Sequence, residues 1–203
     1  MNGEPHPPRA IWPELRDWTP SGMHDAVFRA ADASGEHVYV RADDGSAPVL
    51  RRLADEPDLP APRLLDERDG WLLLSELPGA PLHDRRWLAR PEDAIEIISA
   101  ALRALGRNGI SHGDMCLPNI LGDLVSGELS GMVDWRYANR FDPEIDVASA
   151  IWSCGYNGYA SEVPREVLRS LGWPRADAGE VERLSGIWLD LAGPPTDRPR
   201  STP

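Results

Sequence analysis

The chain has 203 residues, 41% of them hydrophobic and 27% charged, with a formal net charge of −12 at neutral pH. That allows one substantial core or two small lobes, leaves no apolar run near the ~20 residues of a membrane span, and argues against the basic surface a nucleic-acid partner demands. An acidic field suits cationic ligands, and it serves solubility equally well. Two cysteines, Cys116 and Cys154, are too few for a disulfide framework, and the N-terminus MNGEPHPPRA has neither a basic start nor an apolar stretch. A cytoplasmic location is therefore expected.

Residues 1–10 and 193–203 are rich in proline and polar groups and read as disordered tails. Between Ala26 and Ala42 two β-rich runs flank a turn signal at Ser34-Gly35, which predicts a hairpin. A further strand is expected at Trp71–Leu74, after a segment full of helix breakers. Composition then shifts. Ile95, Ile98, Leu102 and Leu105 recur at helical spacing, with Pro91 near the start and Gly106 as the expected stop. More apolar periodicity covers Asp146–Cys154, begins again near Pro164, and ends with Gly179–Leu191. The reading is α+β: an N-terminal sheet lobe at 11–78 and a helical lobe at 79–192.

After the long helix stands Ser111-His112-Gly113-Asp114-Met115-Cys116-Leu117-Pro118-Asn119, a polar loop among apolar residues. Gly131-Met132-Val133-Asp134-Trp135 then reads as a short buried strand ending in a carboxylate. Phosphoryl transfer needs a base beside the attacking hydroxyl and oxygen ligands that hold Mg²⁺ against nucleotide phosphates. In that scheme Asp114 is the base, while Asn119 and Asp134 are the metal ligands.

The pair HGDMCLPN and VDW resembles the catalytic and metal-binding loops of aminoglycoside phosphotransferases, relatives of the protein kinases. The resemblance implies a two-lobed protein-kinase-like fold and Mg²⁺-dependent transfer from ATP or GTP to a hydroxyl of a small, cationic acceptor such as an aminoglycoside. Asp142-Pro143-Glu144-Ile145-Asp146 is similar to a family segment whose second Asp holds the catalytic loop, a role that falls to Asp146. His112 is expected to pack that loop rather than move protons. The stretch Ser21–Phe28, with Gly22, is similar to the phosphate-covering loop, and Trp71–Gly79 to the strand and hinge that receive adenine through the backbone of Ser75 and Leu77. Val133 would join them at the nucleotide. Trp188-Leu189-Asp190-Leu191 resembles an acidic segment some of these enzymes turn toward the antibiotic's amines, although Asp190 also reads as a plain helix-surface residue.

Two departures stand out. Where the family carries a phosphate-binding Lys, this chain has Arg41 after Val38-Tyr39-Val40, and the helix Glu that pairs with that Lys is missing, with Ser46 or Ala47 near its place. The helix there must be short or absent. Arg41 is expected to contact the phosphates in place of Lys; the alternative is an exposed strand-end Arg beside Asp43 and Asp44. Only residues 80–111 separate Gly79 from His112, so the acceptor site must be more open or completed by a protein partner. These departures motivate a second reading, a weakly active or inactive nucleotide-binding relative acting through protein partners. A metal-dependent hydrolase is a third.

Overall fold

The computed structural model describes residues 7–21, 27–56 and 59–193. Its first part is an antiparallel sheet of β1 (Arg16–Pro20), β2 (Val27–Ala31), β3 (His37–Ala42), β4 (Leu64–Arg68) and β5 (Trp71–Ser75), ordered β1-β2-β3-β5-β4. The predicted hairpin is β2–β3, closed at Ala31 opposite His37. Because strand side chains alternate, Val38 and Val40 enter a small core with Trp12, Leu15 and Ala30, while Tyr39 faces the larger core on the other side. Arg41 shares the face of Tyr39. Strands β1 and β4 bury almost none of their side chains and so carry no alternation to read from sequence.

Between β3 and β4 lies the short helix α1 (Ala47–Leu53), its seven residues presenting Ala47, Leu50 and Leu53 to the core. A second small sheet follows, β6 (Ala80–Pro81), β7 (Ile120–Gly122) and β8 (Leu129–Met132), all antiparallel. The helices are α2 (Arg85–Leu88), α3 (Pro91–Asn108), α4 (Pro143–Tyr156), α5 (Glu162–Ser170) and α6 (Ala178–Ala192). None of the described helices is long and apolar enough to cross a membrane.

Helix α3 carries Glu92 and Asp93 in its first turn and Arg107 in its last, in accord with the helix dipole. It ends at Gly109, not at the expected Gly106. Gly109 is left-handed, with φ 60°, and the Gly109 and Ile110 N–H groups close onto the Gly106 and Leu105 carbonyls at 3.3 and 3.1 Å. That paired closure needs a residue at ease with positive φ, whereas Gly106 has open space beside it and is merely tolerated. The terminus aims the chain at Ser111.

One continuous core joins the sheet lobe to the helices, running from Leu50, Leu72 and Leu74 through Ile97 and Met132 to Ile151 and Leu184. The link between lobes lies against the small sheet: Ser130 Oγ donates to the Pro78 carbonyl at 2.7 Å, and Met132 N–H to the Pro60 carbonyl at 2.8 Å. Gly131 lies close under Leu77, whose Cδ1 would stand 2.5 Å from a Cβ there and would have to move aside.

Candidate active site

Helix α4 is the platform of the site. Its N-cap is Asp142, whose carboxylate accepts from Glu144 N–H, and its inner face carries three polar residues at helical spacing: Asp146, Ser149 and Ser153. They grip successive amides of the loop 111–119. Asp146 accepts from His112 N–H at 2.9 Å and Gly113 N–H at 2.6 Å. Ser149 Oγ accepts from Met115 N–H, and Ser153 Oγ from Leu117 N–H, both at 2.9 Å. Burial pushes the Asp146 carboxyl up to about 6 against the pull of its two N–H donors. Asp146 was legible in the sequence; the two serines were not, although the stripe at i, i+3 and i+7 was their signal.

Gly113 stands at φ 85°, and a Cβ there would meet the Tyr137 carbonyl oxygen at 2.6 Å. Only glycine fits between the loop and the segment after Asp134. His112 is fully buried, packs tilted against Trp135 at 4.5 Å between ring centroids, and donates from Nε2 to the Val133 carbonyl at 3.0 Å. Its Nδ1 has no partner among the described residues, and burial lowers its pKa to about 4. Packing, not proton transfer, is what these surroundings suit.

Asp114 is partly exposed between these clamps. Asn119 Nδ2 donates to the Asp114 carbonyl at 3.0 Å, which turns Asn119 Oδ1 the other way with no donor among the described residues. The Asn119 carbonyl accepts from Val133 N–H at 2.9 Å, and Ile120 pairs with Met132, so β7 and β8 carry Asn119 and Asp134 side by side. Asp134 is left-handed, with φ 66°. Its carboxylate meets Arg136 Nη2 at 3.3 Å and Arg41 Nη1 at 3.6 Å. Arg136, stacked on Tyr137, is a neighbour the sequence reading did not single out. Cys116 lies in the same loop; burial, followed by the nearby Asp114 charge, drives its thiol pKa far up, so it stays protonated.

Arg41 comes to this centre from the other lobe. Its side chain is only 15% exposed, which removes the exposed strand-end reading, yet it does pair with Asp44, at 2.7 and 3.1 Å, and with Ser46 Oγ. At the hinge, Ser75 N–H is already committed to the Arg63 carbonyl at 2.9 Å, so that residue cannot offer its N–H to a base. Leu77 N–H has no partner among the described residues. Gly22 lies outside the described residues; of the described residues on either side, Ser21 N–H donates to the Val27 carbonyl at 2.8 Å. Asp190 is exposed on α6.

The profile described as the phosphotransferase enzyme family matches residues 83–181, the stretch that holds the loop, Asp134 and α4. The match covers just under half of the chain. Within the curated proteins, the viomycin phosphotransferase of Streptomyces vinaceus is 38% identical over 92 residues, covering 43% of this chain. The match takes in 30% of that relative, so the chain spans less than a third of its length. Among solved structures, an aminoglycoside-3'-phosphotransferase of type VIII aligns with a TM-score of 0.67 at 19% identity, over 85% of this chain and 92% of the other. Aminoglycoside phosphotransferase APH(3'')-Id of Streptomyces rimosus aligns at 0.61 and 20%, over 85% and 91%. The matched segment therefore sits within a two-lobed fold like that of these structures, and the expected fold class holds.

Proposed function

We propose that the protein transfers the γ-phosphoryl group of ATP or GTP to a hydroxyl of a small molecule, with an aminoglycoside or a related cationic compound as acceptor, and that it does so in the cytoplasm. The observation that carries this reading is the convergence of Asp114, Asn119 and Asp134 through the Asn119–Asp114 and Val133–Asn119 hydrogen bonds. The donor set suits Mg²⁺: an amide oxygen turned outward and a carboxylate, two hard oxygen ligands that leave the remaining positions to phosphates and water. When bound, Mg²⁺ would neutralise charge on the phosphates.

In this reading Asp114 takes the acceptor's hydroxyl proton as the new O–P bond forms and the bond to the departing nucleoside diphosphate breaks. Arg41 and the Leu77 N–H bind phosphates and base, with Val133 and the loop around Gly22 beside them; Asp146 and His112 hold the catalytic loop in shape. Support for the acceptor class comes from the relatives: one is named a viomycin phosphotransferase, and one neighbouring structure holds ADP and streptomycin. The inactive-relative reading loses its main motive, because Arg41 is held at the site by Asp44 and Ser46. The test is product mass after incubation with Mg·ATP or Mg·GTP and a panel including viomycin, streptomycin and neutral polyols. A product heavier by one phosphoryl group supports the proposal. No such product, together with no nucleotide-dependent stabilisation, removes it.

A further inference from the structure

We propose that Asp44 and Ser46 are positioning residues that aim the Arg41 guanidinium at the nucleotide phosphates, doing from a loop what a helix carboxylate does in related enzymes. The inference rests on the phosphotransferase reading and deepens its nucleotide site. It starts from the alternation of β3, which puts Arg41 on the cleft-facing side of the sheet, where its side chain is 15% exposed. A long, charged side chain in such a place must be held, or its rotamer freedom is lost without return.

The guanidinium donors are divided unequally. Nη1 and Nη2 make a two-pronged contact with the Asp44 carboxylate, at 2.7 and 3.1 Å, and Nη2 also reaches Ser46 Oγ. Planar fork-to-carboxylate pairing is the geometry that fixes direction as well as distance. The same Nη1 also faces Asp134, at a looser 3.6 Å, and Nε is buried without a partner among the described residues. The terminal nitrogens are thus anchored on Asp44, and the Nη1 proton toward Asp134 is the one left for ligand oxygens. The anchoring loop is braced in turn: Asp43 Oδ1 accepts from Gly45 N–H at 2.8 Å, Asp44 Oδ1 from Ser46 N–H at 3.2 Å, and Asp43 N–H donates to the Gly70 carbonyl at 2.9 Å. Both partners lie within five residues of Arg41, in the turn that leads into α1 and ends at its N-cap, Ser46, so the aim is set locally.

The sign of one measurement separates this from a bystander role. Removing a carboxylate beside a phosphate site should, by charge alone, tighten nucleotide binding. If Asp44 positions Arg41, its removal weakens binding instead. Mg·ATP affinity is measured by calorimetry for wild type, Asp44→Ala, Arg41→Ala and the double variant. Asp44→Ala is expected to weaken binding about tenfold, the scale of a lost charge-assisted hydrogen bond, and to do nothing or tighten it once Arg41 is gone. Melting curves without nucleotide check the fold, and Asp44→Asn replaces Asp44→Ala if that variant does not fold. Unchanged or tighter binding in Asp44→Ala with Arg41 present overturns the proposal. Unchanged affinity in Arg41→Ala overturns the phosphate anchor and this proposal with it, whereas absence of nucleotide binding in the wild type overturns the phosphotransferase reading itself.

Discussion

Asp114 and Asp134 are both partly exposed carboxylates, but their surroundings differ. Asp134 faces two guanidiniums, so it sits where positive charge is already favoured. Among the described residues, the Asp114 carboxylate faces no guanidinium and meets Cys116, through a long 3.4 Å donation from its N–H and through its thiol, which leaves it open to an incoming hydroxyl. Asp114→Asn should keep nucleotide affinity and lose turnover by about 10² or more, as measured by steady-state transfer. Near-normal turnover would take the base away from Asp114. Asp134→Ala should instead flatten the Mg²⁺ dependence of nucleotide binding; superimposable metal titrations of variant and wild type would move the metal site elsewhere.

His112 and Asp146 give the loop 111–119 a pH signature. His112 titrates near 4 when folded and at about 6.5 when unfolded, so the unfolded chain binds more protons in that window. Its contribution is complete above pH 6.5 and is lost as pH falls toward 4. Asp146, raised to about 6, works the other way: the folded state holds its proton longer, and its contribution falls as pH rises from about 3.8 through 6. His112→Phe should therefore show a stability that declines from pH 4 to 6, where the wild type has the two slopes opposed. Denaturant titrations across that range measure the difference, and parallel profiles would mean that His112 does not titrate as its burial requires.

At the scale of elements, α4 acts as a rack for the loop 111–119. Ser149 Oγ is doubly used, accepting from Met115 N–H and donating to the Asp146 carbonyl at 3.1 Å, while Ser153 Oγ also receives Asn157 Nδ2 at 3.0 Å. Ser149→Ala would leave a buried amide without its acceptor, at a cost of about 1–3 kcal/mol in unfolding free energy. Because that amide belongs to Met115, next to Asp114, turnover should fall along with stability. Ser149→Thr, which keeps the hydroxyl, should retain more of both. A Ser149→Ala enzyme with wild-type stability and turnover would show that the loop is held by other means.

For the whole molecule, the consequence of one core running from Leu50 and Leu72 to Leu184 is that the lobes should not melt separately. Calorimetry without ligand is expected to give one transition whose calorimetric and van't Hoff enthalpies agree; two resolved transitions would refute the shared core. Mg·nucleotide at a hundred times its dissociation constant should raise stability by about 2.7 kcal/mol, because it binds only the native state. The contact between Arg41 of the first lobe and Asp134 of the second is the link through which that ligand would couple them.

The parts readable in sequence were those with a local cause. β-rich runs beside a turn signal marked β2 and β3, an apolar run after helix breakers marked β5, helical spacing marked α3 to α6, and the Asp114, Asn119 and Asp134 spacing stood out because loop chemistry of that kind needs fixed offsets along the chain. Edge strands β1 and β4 stayed hidden because a strand that buries little carries no alternation. The true end of α3 lay three residues past Gly106, since a helix stops where a left-handed residue can receive its last carbonyls, not at its first glycine. Only tertiary structure could decide where hydrogen bonds between distant segments go: the serines of α4 to the loop amides, Ser75 N–H to Arg63, Arg41 to Asp134. Each depends on burial, which turns an optional polar contact into a required one, and burial belongs to the folded chain rather than to any stretch of its sequence.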